Sequence, residues 1–144
     1  MHPNTIELFA ETIGNTSHWL DDIMLATGKM EVRHAASVLR AVLHVLRDRL
    51  TPEEAVDLGT QLPTLIRGVY YEGWKPAGRP MKYRHKAEFL RAVAQAMPSL
   101  PEADLERAVR AVFSVLARRV SAGEIRHIHD QLPAELREVW DTAA

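Results

Sequence analysis

Apolar residues return every three or four positions along most of the chain, which is the spacing of amphipathic helices. The clearest stripe predicts a long helix over residues 31–50 and consists of Ala35, Val38, Leu39, Val42, Val45, Leu46 and Leu50. Other stripes predict helices over residues 4–14, 17–27, 51–61, 63–73, 86–97, 102–120, 121–131 and 133–142. Thr51 and Ser121 are predicted N-caps, and glycines and prolines separate several of the segments. The pattern therefore predicts an all-α chain.

The long stripe belongs to a segment that occurs twice. Leu39–Tyr70 returns as Val109–Trp140 after a shift of 70 residues, with 12 identities in 32 positions. Glu54 matches Glu124, and the Gln-Leu-Pro at 61–63 matches that at 131–133. The recurrence predicts duplicated four-helix units, about 16–74 and 86–142, joined by a basic Pro/Gly linker over 75–85. Units this small bury too little surface to be stable alone, so we expect them to pack as one pseudo-twofold helical domain over residues 1–144.

Composition excludes several classes of protein. The chain has 144 residues, of which 47% are hydrophobic and 26% charged, as in ordinary globular proteins. It has no cysteine, which excludes disulfide frameworks, thiolate metal sites and cysteine nucleophiles. No apolar run has the length of a transmembrane helix. We therefore expect a cytoplasmic protein with no membrane span.

Positive charge is concentrated between the two units. Residues 67–86 hold 6 basic residues and 1 acidic residue, whereas the whole chain has a net charge of -1. Cations interleaved with aromatic residues are typical of surfaces that hold phosphates and stack bases. The candidate binding residues of this segment are Arg67, Tyr71, Trp74, Lys75, Arg79, Lys82, Tyr83 and Arg84. Alternatively, the cations are those of a solvated linker and the aromatic residues complete the core, and the near-neutral overall charge disfavours nucleic acid.

The motif Glu-x-x-His occurs twice, as Glu31 to His34 and as Glu124 to His127. At this spacing the two side chains share a helix face and can reach one cation. Two such motifs build the metal site of ferritin-like bundles, but only together with further inward glutamates. Here the motifs do not occupy equivalent repeat positions, and both lie near predicted helix starts. We therefore expect capping acids and surface histidines, with no metal and no cofactor.

No catalytic constellation is evident in the sequence. A phosphate-binding Gly-rich loop, His-Glu-x-x-His and Gly-x-Ser-x-Gly are all absent. Gln61 and Gln131 are expected to hydrogen-bond backbone at a helix break. We expect a non-enzymatic module that binds a protein partner or another copy of itself. The alternatives are a small ligand or lipid in the cleft between the units, metal binding by the Glu-x-x-His motifs, and polyanion binding by residues 67–86.

The repeated runs resemble those of a known family. Leu39–Leu50 and Asp57–Trp74, with Tyr-Tyr-Glu-Gly-Trp at 70–74, resemble the bacterial domain-of-unknown-function family 2267. The second-half runs Val109–Ile125 and Gln131–Arg137 resemble the same family. The resemblance implies an all-helical duplicated fold in a small cytoplasmic bacterial protein. It implies no catalytic residues, because the family has no assigned function.

Overall fold

The computed structural model describes residues 1–28 and 30–143 and is all-helical. Within these residues there are eight α-helices and no strand, and 75% of the chain is helical. The helices are α1 (Thr5–Thr27), α2 (Val32–Arg49), α3 (Pro52–Thr60), α4 (Thr64–Tyr71), α5 (Lys86–Ala96), α6 (Leu105–Arg119), α7 (Ala122–Gln131) and α8 (Ala134–Ala143). None of these described helices combines the length and the apolar character needed to cross a bilayer. The predicted all-α class is confirmed.

The core is organised around α2 and α6, which contact each other and carry the largest numbers of buried residues. The first helix packs on α6 as well as on α2, and α5 packs on α2 as well as on α6. Each half of the chain therefore covers the long helix of the other half. As a result, buried side chains from both halves form one continuous cluster.

The N-termini of α3 and α7 are capped in the same way. The hydroxyl of Thr51 accepts a hydrogen bond from the backbone N–H of Glu54, and the hydroxyl of Ser121 accepts one from the N–H of Glu124, each at 3.3 Å. These bonds satisfy helix-terminal donors that have no partner within the helix. The predicted caps are confirmed, and the glutamate of each cap lies in the first turn of its helix.

The separate helices predicted over 4–14 and 17–27 are wrong, because the structure has the single helix α1. Gly14 was expected to end the first of them, yet it lies inside α1. The hydroxyl of Thr16 donates to the carbonyl of Thr12, four residues earlier, at 2.7 Å. A threonine side chain makes this bond inside an uninterrupted helix. One interior glycine costs a helix about 1 kcal/mol, and the packing of α1 on the core outweighs that cost. Similarly, the helix predicted from 102 begins at Leu105, after a 3₁₀ turn.

Two helical glycines are predicted to respond in opposite ways to alanine. A Cβ at Gly59 would overlap the hydroxyl of Tyr71, whereas nothing lies within 4 Å of a Cβ at Gly68. We expect Gly59→Ala to destabilise the protein by about 1–2 kcal/mol, because Tyr71 must move. Gly68→Ala should stabilise it by about 0.5–1 kcal/mol, because alanine loses less backbone entropy in a helix. Urea unfolding monitored by circular dichroism measures both changes, and equal stability of the two variants would contradict the contact.

Candidate functional site

Two buried glutamates lie where α3 meets α7. Glu54 is 6% exposed and Glu124 is 7% exposed, although most glutamates of globular proteins lie at the surface. The Oε1 atom of each is buried and has no hydrogen-bond partner among the described residues. A buried oxygen without a partner is unfavourable, so this pair requires a proton, an ion or water to compensate it.

Reciprocal glutamine contacts fix the position of this pair. The Oε1 of Gln131 accepts from the N–H of Thr51 at 3.0 Å, and its Nε2 donates to the Thr51 hydroxyl at 3.1 Å. The Oε1 of Gln61 accepts from the N–H of Ser121 at 2.8 Å, and its Nε2 donates to the Ser121 hydroxyl at 3.0 Å. The end of each helix therefore binds the beginning of the other, which sets α3 and α7 antiparallel. Both glutamines contact backbone, as expected, but across the two halves.

The two carboxyl groups interact strongly. Burial raises the pKa of the Glu124 carboxyl to about 8, and the neighbouring Glu54 carboxyl raises it further, because it can accept a hydrogen bond from the protonated form and because it is a like charge. The charge of Asp57 acts in the same direction. Two carboxylates in such proximity cannot both be ionised without a penalty, so near neutral pH the pair holds a proton in the absence of a cation.

His127 adds a third donor to the pair. One ligand atom each from Glu54, Glu124 and His127 lies within 4.8 Å of the other two. His127 lies one turn after Glu124 on the same helix and is exposed. A set of two carboxylates and one imidazole can hold a divalent cation. We call these three residues the α3–α7 cluster.

The α3–α7 cluster contains only one of the two Glu-x-x-His motifs. Glu31 and His34 line a different cleft, of about 400 Å³, between the α1–α2 junction and the start of α6. The remaining lining residues are Thr27, Met30, Leu100, Asp104, Arg107 and Ala108. Because both halves contribute to it, this cleft is the place in the fold that corresponds to the predicted small-ligand alternative.

Sequence reasoning did not identify Glu54 as a partner of His127. The signal was present, since Glu54 and Glu124 lie 70 residues apart at matching repeat positions. It was interpreted as a capping feature, and both glutamates do follow N-caps. Only the antiparallel pairing of α3 with α7 brings the two side chains together.

Several cations of the predicted basic surface hold the fold together. Arg67 donates to the carbonyls of Gly59 at 2.7 Å and of Leu62 at 3.0 Å, where α3 ends. Arg79 lies 3.6 Å from the carboxylate of Asp48, and the N–H of Met81 donates to the Asp48 carbonyl at 2.8 Å. The segment over 75–85 is thus attached to the end of α2.

The aromatic residues of the segment are also packed. Tyr71 lies between Tyr70 and Trp74, with ring centroids 4.9 and 5.4 Å away. Tyr83 contacts Phe89 edge to face and lies beneath the Arg49 guanidinium. The exposed cations of the segment are Lys75, Lys82 and Arg84. These three cations are the most exposed of the candidate binding residues, since Arg67, Arg79 and the aromatic side chains are half-buried.

The fold and the cluster together define a small all-α protein in which the two halves meet at a polar contact between short helices. The chain belongs to the family described as Uncharacterized conserved protein (DUF2267), whose model matches residues 16–139. The match spans both halves and includes Glu54, Glu124 and His127. The resemblance noted in the sequence is confirmed. A comparison with curated proteins gives no match.

The reciprocal glutamines are predicted to contribute to stability. Gln61→Ala removes two hydrogen bonds to Ser121 and Gln131→Ala removes three to Thr51, which are the N-cap residues of the opposite helices. We expect each substitution to lower the free energy of unfolding by about 1–2 kcal/mol. Gln95→Ala is the matched control, because Gln95 is an exposed residue of α5. Chemical denaturation measures the free energy of unfolding of each variant. Equal losses at all three positions would contradict a stabilising role for the hydrogen bonds of Gln61 and Gln131.

The Glu124 carboxyl predicts a pH dependence of stability. Its pKa is raised on folding, so between about pH 4.5 and 8 the folded state binds more protons than the unfolded state. Stability from this group is present at low pH and falls as pH rises, by at most about 1.4 kcal/mol per pH unit. The titratable groups that face the carboxyl are Glu54 and Asp57 of α3, His127 of α7 and Tyr70 of α4.

Glu124→Gln should flatten this dependence. Urea unfolding in buffers with a chelator, at several pH values across the window, compares the variant with the wild type. The variant should gain stability relative to the wild type as pH increases, because the amide carries no charge. Glu31→Gln is the control for an exposed glutamate and should leave the slope unchanged. A constant difference between Glu124→Gln and the wild type would contradict the raised pKa.

Proposed function

We propose that this protein is a non-enzymatic helical module that associates with a second copy of itself through the first part of α1. Its scaffold is a pair of duplicated four-helix units related by a pseudo-twofold axis between α3 and α7. The apolar surface of α1 is the observation that carries the proposed self-association, and the reciprocal glutamine contacts support the proposed symmetry.

The first part of α1 presents apolar side chains to solvent. Ile6, Phe9 and Ile13 are 61%, 49% and 50% exposed. They lie three and four residues apart, so they share one face of the helix. The buried residues of α1 come later, at Trp19 and Ile23. A contiguous exposed apolar patch on a folded protein is typical of an interaction surface.

The spacing of this face fits pairing between identical helices. Ile6, Phe9 and Ile13 occupy successive a, d and a positions of a heptad. Charged residues at the flanking e and g positions would repel their counterparts in a second copy. Those positions hold uncharged residues, namely Thr5, Ala10, Thr12 and Ser17. Like-charge repulsion at the flanks is therefore avoided, which favours a second copy of this chain as the partner.

A groove beside the apolar face can receive side chains from that partner. The groove has a volume of about 520 Å³ and is lined in part by Leu8, Phe9, Leu62 and Pro63. It runs between α1 and the corner that joins α3 to α4. A twofold contact would bring the face and groove of one copy against those of the other, which is the usual geometry of homodimers.

Substitutions on α1 test the proposed association. Phe9→Glu and Ile13→Glu introduce buried, unpaired charge into the contact, so we expect each to convert a dimer to a monomer. Leu25→Glu is the matched control, because Leu25 is 81% exposed on the same helix but lies outside the a and d stripe. Sedimentation equilibrium over a range of concentrations measures the dissociation constant, which we expect to rise at least tenfold in the first two variants only.

Two results would reject the proposal. One is a wild-type protein that remains monomeric at about millimolar concentration, well above the range of specific association. The other is an equal loss of dimer in Leu25→Glu, which would indicate a contact elsewhere on α1. Circular dichroism of each variant distinguishes loss of association from loss of folding.

A further inference from the structure

We propose that Glu54, Glu124 and His127 form a binding site for one divalent transition-metal cation at the contact between α3 and α7. This site is separate from the α1 surface, and it does not depend on the proposed self-association. Zinc is the cation that we use below as the representative of this class.

The geometry of the α3–α7 cluster is close to that of a bound ion. The three ligand atoms lie within 4.8 Å of one another. Ligands about 2.1 Å from a tetrahedral ion are separated by roughly 3.4 Å. Each separation therefore has to shorten by about 1.4 Å at most, which small side-chain rotations can supply. His127 is the exposed member of the three, so it can move most readily.

The charge of the site also indicates a cation. Glu54 and Glu124 are both more than nine-tenths buried, and each has an unpartnered Oε1. No lysine or arginine among the described residues forms an ion pair with either carboxylate. The nearby ionisable groups Asp57 and Tyr70 are acids as well. A metal ion would neutralise the paired carboxylates and satisfy their free oxygens.

The donor set distinguishes between classes of metal. Magnesium and calcium bind oxygen ligands and favour six or more of them, which three side chains do not provide. An imidazole nitrogen with two carboxylates suits zinc and its first-row neighbours. Three protein ligands leave a fourth position of a tetrahedral ion for water, and the exposure of His127 lets water reach it.

The location of the site gives binding a structural consequence. Glu54 belongs to α3 in the first half of the chain, and Glu124 and His127 belong to α7 in the second half. One ion would therefore link the two halves at the place where Gln61 and Gln131 already connect them. Because the ligands come together only in the folded chain, binding should stabilise the folded state.

Calorimetric titration of the full-length protein tests the site. Protein stripped with a chelator is titrated with zinc and, separately, with magnesium at neutral pH. We expect saturable binding of one zinc per chain, a higher melting temperature with zinc, and no comparable response to magnesium. Glu54→Gln, Glu124→Gln and His127→Ala should each weaken zinc binding at least tenfold.

The other Glu-x-x-His motif supplies the matched controls. Glu31→Gln and His34→Ala alter the same residue types at the same spacing, but these side chains line a different cleft. They should leave zinc affinity unchanged. His129→Ala removes a neighbouring imidazole on α7 that is bound to Asp141 at 3.0 Å, and it should also have no effect.

Three outcomes would overturn the proposal. They are a wild-type protein that does not bind zinc saturably, binding that survives both Glu124→Gln and His127→Ala, and binding that falls equally in His34→Ala. If a glutamine variant unfolds, His127→Ala still decides the question, because His127 is exposed and its removal leaves the core intact. The absorption spectrum of the cobalt-substituted protein gives an independent test, since a low-coordinate site with a histidine ligand differs from hydrated cobalt.

Discussion

The width of the apolar faces of α2 and α6 is the constraint on which the rest of the structure depends. Both helices bury residues on more than one side, and each is covered by helices from both halves of the chain. Each long helix is covered by a helix of the other half, because α1 lies on α6 and α5 lies on α2. Once the long helices are paired in this way, the short helices that follow them, α3 and α7, also come together. The polar contact between α3 and α7 is therefore a consequence of apolar packing elsewhere.

That contact combines favourable and unfavourable interactions. The hydrogen bonds of Gln61 and Gln131 satisfy backbone and hydroxyl groups at the starts of the opposite helices. Within the same contact, Glu54 and Glu124 place two carboxyl groups in a buried environment, where both cannot be ionised without a free-energy penalty. A pair of apolar residues would be expected to stabilise this position more. Buried groups that break a local rule without an evident structural gain are candidates for binding, and this is the basis of the proposed cation site.

Much of the fold could be predicted from the sequence, but the cluster could not. Helical spacing gave α2, and the Thr51 and Ser121 caps gave the starts of α3 and α7, because these are local properties of the chain. Gly14 misled the prediction of α1, since a glycine ends a helix only where tertiary packing does not hold it. The position of Glu54 near His127 depends on how two helices from different halves approach each other. Hydrophobic periodicity predicts which face of each helix is buried, but it does not predict which helix packs against that face.

The differences between the matching halves bear on this interpretation. Glu54 and Glu124 are identical at matching positions, as are Gln61 and Gln131, but His127 matches Asp57. In the proposed cation site, His127 supplies a nitrogen donor at a position where the first half of the chain has an acid. The difference between Asp57 and His127 therefore bears on the class of metal that the proposed site would hold, whereas the identical Gln61 and Gln131 connect α3 and α7 at both ends of their contact.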